Sequence, residues 1–276
     1  MALNLGANAI GKLYLGSTQI NKAYLGTTVL FSGGFSPSAL FAGGTEGAWF
    51  DPSDIDTLFQ DSAGTTPVTA SGQPVGKMLD KSGNGNHATQ AISAKRPIYT
   101  EGSGLAWLAF DGVGDFMAVA DVSGMRQSIM TFFIGVDPLS LSLREDWFAS
   151  GNSRAYSTNN YILGNSASAF QTLGRTPATI VTQGSMTANT KVIVSARSDG
   201  TNINSRINGV AQTTAALTLG TNDTSGFTLG ASKTDEVYNH FKQMNMYGLI
   251  VRGSTSSAAE IASTEDYLAA KSGVTL

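Results

Sequence analysis

The chain has 276 residues and a formal net charge of −3. Only 13% of its residues are charged, about half the roughly 25% usual for a globular protein, which excludes the basic face that nucleic acid or an anionic membrane requires. Cysteine is absent, so disulfides, thiol catalysis and thiolate-bound metal are excluded, and no stretch approaches the roughly 20 apolar residues of a membrane-spanning helix.

The opening Met1-Ala2-Leu3-Asn4-Leu5 has neither a basic region nor a long apolar run, so no secretory signal is expected and synthesis should be cytoplasmic. A short sequence is then written twice. Ile10-Gly11-Lys12-Leu13-Tyr14-Leu15-Gly16-Ser17-Thr18 returns ten residues later as Ile20-Asn21-Lys22-Ala23-Tyr24-Leu25-Gly26-Thr27-Thr28. The period suits a strand plus a turn, with Gly-Ser-Thr and Gly-Thr-Thr as turn material. Such strands cannot bury a core alone. Residues 1–33 are therefore expected to be an attachment or oligomerisation module, with Tyr14, Leu15, Tyr24 and Leu25 as its contact residues. Residues 34–46, rich in Gly and Ser, look like a linker, and a main domain is expected over 47–276.

The main domain is expected to be all-β. Leu105 to Phe110 and Phe116 to Ala120 flank a glycine turn. Ser128 to Val136 is apolar on both faces, as for a strand inside a sandwich. Lys191 to Arg197 and Ile203 to Gln212 follow, the latter holding Asn208-Gly209, a strong type I′ hairpin signal. Phe227 to Ala231 and Met244 to Arg252 are later strands. Ser257-Ala258-Ala259-Glu260 matches a capping box, and a helix is expected over Ser257 to Ser272, closed by Gly273.

Several segments carry side chains with chemical potential, and each has two readings. Asp80 to His87 either presents Asn84, Asn86 and His87 to a ligand or is a tight connection in which Asp80 bonds backbone amides; the second is preferred. Asp111 and Asp115 are either calcium ligands or Asx-turn residues, with preference for the turn. Asp51, Asp54 and Asp56 are read as turn residues around Pro52 rather than a metal cluster. Trp49, Trp107 and Trp147 are expected in the core. For sugar recognition, aromatic rings beside amides and acids are the useful pattern. Glu236-Val237-Tyr238-Asn239-His240 offers it, as do Tyr156, Asn160 and Tyr161 near Arg154. No catalytic residues are expected: Glu145-Asp146 and Asp235-Glu236 are adjacent, so in a strand each pair splits between two faces, and a Gly-x-Ser-x-Gly elbow is absent.

Four segments taken in order resemble the concanavalin A-like or laminin-G-like jelly-roll domains of bacteriophage virion proteins. They are Gly47-Ala48-Trp49-Phe50-Asp51-Pro52-Ser53-Asp54; Asp80 to Gln90 with Arg96-Pro97; Leu108 to Phe116; and Tyr267-Leu268-Ala269 with Gly273-Val274. The doubled Tyr-Leu-Gly element is similar to one at the start of phage tail and fibre proteins. The resemblance implies a two-sheet sandwich in a fibre, spike or baseplate appendage on the virion. It implies a trimer docked to other virion proteins through residues 1–33, with host surface polysaccharide as ligand and calcium as an optional companion. A structural or decoration protein without a ligand is the alternative.

Overall fold

The computed structural model describes residues 4–5, 8–9, 13–15, 18–20, 22–25, 28–32, 35–120, 129–141, 145–150, 162–175, 178–217, 226–234 and 237–276. It is a sandwich of two antiparallel sheets with one C-terminal α-helix, as expected. The first sheet runs, edge to edge, through Ala178–Ser185, Ala169–Arg175, Ile162–Ser166, Glu145–Ser150, Phe227–Leu229, Met117–Val119, Ala88–Thr89, Lys77–Met78 and Leu58–Phe59. The second runs through Ile98–Gly102, Leu105–Asp111, Gln243–Arg252, Ile129–Pro138, Val192–Asp199, Asn202–Ile207 and Val210–Ala211. Two more strands join the second sheet: Gly47–Phe50 pairs with the C-terminal half of Gln243–Arg252, and Ala215–Ala216 with the start of Asn202–Ile207.

The doubly apolar strand explains the layering. From Ile129–Pro138, Met130, Phe132, Ile134 and Val136 enter the core between the sheets. Phe133 turns outward into a second apolar cluster with Trp49, Ile193, Ile250 and Leu268. That outer face is covered by α1 (Ala258–Ser272), so both sets of side chains are buried. Leu268 lies over Gly248, where a Cβ would come within 2.9 Å of its Cδ2, and Gly248 pairs with Gly135 across the ladder. Two facing glycines thus make the hollow that seats the helix.

Local rules were followed closely at the ends of elements. Ser257 Oγ accepts from Glu260 N–H at 3.3 Å, Glu260 Oε2 accepts from Ser257 N–H at 2.7 Å, and Gly273 ends α1 at φ 73°. Asn208 and Gly209, at φ 47° and 76°, turn Asn202–Ile207 into Val210–Ala211.

Of the segment read as a linker, residues 35–46 are described. In it Pro37–Phe41 forms a 3-10 turn whose Leu40 and Phe41 are buried in the outer cluster, docking this part of the chain on the sandwich. Before it, the repeat forms three two-stranded ladders: Asn4–Leu5 with Asn8–Ala9, Leu13–Leu15 with Thr18–Ile20, and Lys22–Leu25 with Thr28–Ser32. Tyr14, Leu15, Tyr24 and Leu25 lie in these strands.

Candidate functional site

The Asp80–His87 loop turns its polar groups inward. Asp80 accepts four hydrogen bonds, from the N–H groups of Trp49, Ser82 and Asn86 and from Ser82 Oγ, at 2.7–2.9 Å. The side-chain amides of Asn84 and Asn86 donate to the Gly47 carbonyl at 3.1 and 2.7 Å. His87 Nδ1 accepts the Asp80 N–H at 3.0 Å, and burial, with Lys77 adding to it, holds the imidazole below its ordinary pKa. The loop is a clasp on the Gly47–Phe50 strand, the tight connection preferred above.

Asp51 also faces inward partners, whereas Asp54 pairs with Lys81 nearer the surface and Asp56 is exposed. Asp51, nearly wholly buried, accepts from Tyr267 Oη at 2.7 Å and from Ser53 Oγ at 2.6 Å, and pairs with Lys271 at 3.1 Å and Lys81 at 3.4 Å. Burial pushes its pKa up, but these donors and cations outweigh it and hold the carboxyl low. Two lysines supply the positive charge that a metal would bring.

A different arrangement forms around Phe116. The hairpin Ser232–Thr234/Val237–Asn239 lays Tyr238 on Phe116, with ring centroids 3.7 Å apart and planes 24° from parallel. Phe241 packs on the same ring from 6.4 Å. Lys233 Nζ stands 5.7 Å from the Tyr238 ring and Lys95 Nζ 5.8 Å from the Phe116 ring, both in cation–π range. Phe116 is buried, whereas Tyr238, Asn239 and His240 are half-buried. Three backbone segments meet here: Phe116 N–H donates to the Lys95 carbonyl at 3.3 Å, and Gln90 Nε2 donates to the Phe116 carbonyl at 2.9 Å. Each segment also carries a large apolar side chain left in solvent: Ile92, Val113 and Val237. Among the described residues five such side chains are exposed, and three of the five lie on the segments that meet at Phe116. Exposed apolar groups beside polar ones make this face the candidate binding surface.

The Asp111–Asp115 turn borders this surface. Asp111 Oδ1 accepts the N–H groups of Val113, Gly114 and Asp115 at 2.8–3.0 Å, and Asp115 Oδ2 accepts the Asp111 N–H at 3.1 Å. Burial, aided by the Asp111 charge, raises the Asp115 pKa to about 6. The pair does not fit a calcium site, because one oxygen is saturated by three amides and only two carboxylates converge. Among the described residues no group of three or more His, Asp or Glu is placed to hold a metal ion.

Beneath the hairpin lies a buried polar cluster. His240, at φ 51°, places Nδ1 3.4 Å from Asp146 Oδ2 and 3.1 Å from Ser232 Oγ, which in turn donates to Asn239 Oδ1 at 2.8 Å. Both the acid and the hydroxyl address the same ring nitrogen, so these three residues do not form the relay of a Ser-His-Asp triad, which uses both nitrogens. Next to them Lys242 is wholly buried, with Nζ 2.8 Å from Glu145 Oε2 and also donating to the Ser140 carbonyl. Glu145 and Asp146 address different partners, as strand alternation requires.

The sandwich is one that sialidases also carry. Trypanosoma rangeli sialidase in complex with the inhibitor DANA superposes with a TM-score of 0.53 at 14% identity, covering 79% of this chain and 37% of the sialidase. The same sialidase in complex with 2,3-difluoro-KDN gives 0.54 at 15% identity, covering 76% and 34%. The chain therefore spans about a third of that enzyme's length. The Ruminococcus gnavus IT-sialidase CBM40 bound to alpha2,3 sialyllactose is similar at a TM-score of 0.45 and 12% identity, over 50% of this chain and 82% of the module. No protein-family model and no curated protein sequence matches the chain.

Of the residues read from sequence as sugar-facing, Tyr238, Asn239 and His240 come together at this surface. Glu236, Asp235, Arg154, Tyr156, Asn160 and Tyr161 lie outside the described residues. Phe116, Lys233 and Lys95 were missed; the aromatic at the end of the Asp-Gly-Val-Gly-Asp turn was the available signal, and only tertiary structure pairs it with Tyr238. Trp107 is half-buried against Tyr247 rather than in the core, because Ala106, Leu108 and Phe110 take the core face of the Leu105–Asp111 strand and alternation turns Trp107 to the other. Trp147 is wholly buried and donates to Asn165 Oδ1 at 3.0 Å.

Proposed function

We propose that this chain is a non-catalytic, glycan-binding surface protein of a phage virion, and that the face around Tyr238 and Phe116 contacts polysaccharide on the host cell. The observation that carries this reading is the stacked Phe116–Tyr238 pair at the meeting point of three segments that each expose an apolar side chain. Sugar rings offer C–H faces to aromatic and apolar groups and hydroxyls to amides, imidazole and ammonium groups. Tyr238, Asn239, His240 and Lys233 provide that mixture on one edge. The sandwich shared with sialidases is compatible with it. The absence of a relay at His240, and the commitment of Glu145 to Lys242, favour binding without hydrolysis.

The virion setting and the trimer rest on the sequence resemblance and on the doubled element at the N-terminus. Its three ladders are each only two strands wide among the described residues, so lateral partners from sister copies or another virion protein would complete them. The reading is tested with labelled full-length protein on host cells, with purified host polysaccharide as competitor. Saturable binding that the polysaccharide abolishes, and that Tyr238→Ala weakens at least tenfold, supports it. Equal binding by the Tyr238→Ala variant removes this face. No binding at all, even as a forced multimer, leaves a structural decoration protein. Light scattering of the full chain and of a form lacking residues 1–33 tests the oligomer: a trimer reduced to monomer is expected, and two monomers would refute self-association.

A further inference from the structure

The buried cluster under the hairpin contains more chemistry than binding requires. Lys242 Nζ donates to Glu145 Oε2 at 2.8 Å, and Asn165 Nδ2 donates to the same oxygen at 3.2 Å. Amine and carboxamide therefore share one carboxylate oxygen as acceptor. Ser140 Oγ hydrogen-bonds Glu145 Oε1 and so fixes which oxygen faces the two nitrogens. Trp147 Nε1–H donates to Asn165 Oδ1 at 3.0 Å, polarising the carbonyl and standing where a tetrahedral oxyanion would form. Lys242 and Trp147 are wholly buried, and Glu145 and Asn165 nearly so. Water is excluded, and nucleophile, base, electrophile and oxyanion donor are held in one pocket.

We propose that Lys242 and Asn165 join in an intramolecular isopeptide bond, with Glu145 as the proton carrier. Glu145 takes a proton from the Lys242 ammonium. The freed Nζ lone pair attacks Asn165 Cγ, forming the Nζ–Cγ bond, while charge on Oδ1 is met by the Trp147 N–H. Glu145 then passes that proton to Nδ2 and takes the second proton from Nζ, the Cγ–Nδ2 bond breaks, and ammonia leaves with Glu145 protonated. No oxidant, reductant or cofactor is needed. Burial favours the step, since desolvation holds the Lys242 amine below the ordinary lysine pKa. For Glu145 burial acts upward, but hydrogen bonds from Lys242, Ser140 and Asn165 outweigh it and keep the carboxylate ready as a base. Lys242 sits just before Gln243–Arg252 in one sheet and Asn165 lies in Ile162–Ser166 of the other. The bond would staple the two sheets in a chain without cysteine.

The test is the intact mass of the denatured full chain, measured after purification and again after prolonged incubation, followed by protease mapping. The expected result is a mass lower than the sequence mass by one ammonia, with a branched peptide joining Lys242 to Asn165. Glu145→Gln and Lys242→Arg are expected to restore the full sequence mass. A wild-type chain that stays at its sequence mass overturns the proposal. So does an ammonia deficit that persists in Lys242→Arg, which would be cyclisation of an asparagine. If either variant fails to fold, the presence or absence of the branched wild-type peptide decides alone.

Discussion

The chain has two histidines, and the two loops that hold them behave differently. His87 closes a loop in which Asp80, Asn84 and Asn86 direct their hydrogen bonds to the protein's own backbone. His240 ends a hairpin whose neighbours Tyr238 and Asn239 stay half-exposed over an aromatic ring. On paper both loops are polar, asparagine-bearing and histidine-bearing. The difference is in what closes each loop: hydrogen bonds to backbone groups in the first, and in the second the stacking of Tyr238 on Phe116, which leaves the edge of the hairpin half-exposed.

The largest expected effect breaks the internal loop. Asp80→Ala removes acceptors from three backbone amides, one of them the buried Trp49 N–H, and should destabilise by about 3 kcal/mol in denaturant unfolding. A cost well under 1 kcal/mol would mean that the clasp is held by something else. The mirror experiment is Tyr238→Ala, expected to weaken polysaccharide binding at least about tenfold while costing only about 1 kcal/mol of stability. A smaller change concerns the turn beside that surface. Asp115 binds its proton more tightly folded, at a pKa of about 6, than unfolded, near 3.8. Folded protein therefore holds the extra proton between these values, and the contribution is present below the unfolded pKa and lost as pH rises through about 6. Asp115→Asn should then stabilise by about 1 kcal/mol at neutral pH, and unfolding curves at acidic pH should show the gain gone. The smallest effect is a control. Glu260→Ala loses the capping-box bond and the pair with Arg252, about 0.5–1 kcal/mol, at the far end of the Gln243–Arg252 strand. Polysaccharide binding should not change; if it does, the Tyr238 face is not the sole contact.

What the sequence disclosed follows from the range of the interactions involved. The Asn208-Gly209 hairpin, the capping box at Ser257 and the Asx turn at Asp111 depend on residues within a few positions, so their chemistry is visible in a line of letters. The doubly apolar Ile129–Pro138 strand also announced its burial, although not that a helix supplied the second layer. The stack of Phe116 on Tyr238 and the bond from Lys242 to Glu145, 97 residues apart in sequence, depend on sheet order, which no local pattern encodes. The burial of Leu40 and Phe41 was likewise invisible in a Gly-Ser-rich segment, because it needs a docking face that only the folded sandwich supplies.

The Gly47 carbonyl has a mechanical consequence. It accepts Asn86 Nδ2, Asn84 Nδ2 and Ser82 Oγ at 2.7, 3.1 and 3.3 Å, at the point where the chain joins the sandwich. Tension applied along the chain before Gly47 would meet the buried Leu40–Phe41 pair, then this three-donor clamp, and then the ladder to Val251 and Arg252. Rupture would have to shear side-chain bonds before unzipping a strand, so in single-molecule pulling the Asn86→Ala protein should yield at lower force than the wild type.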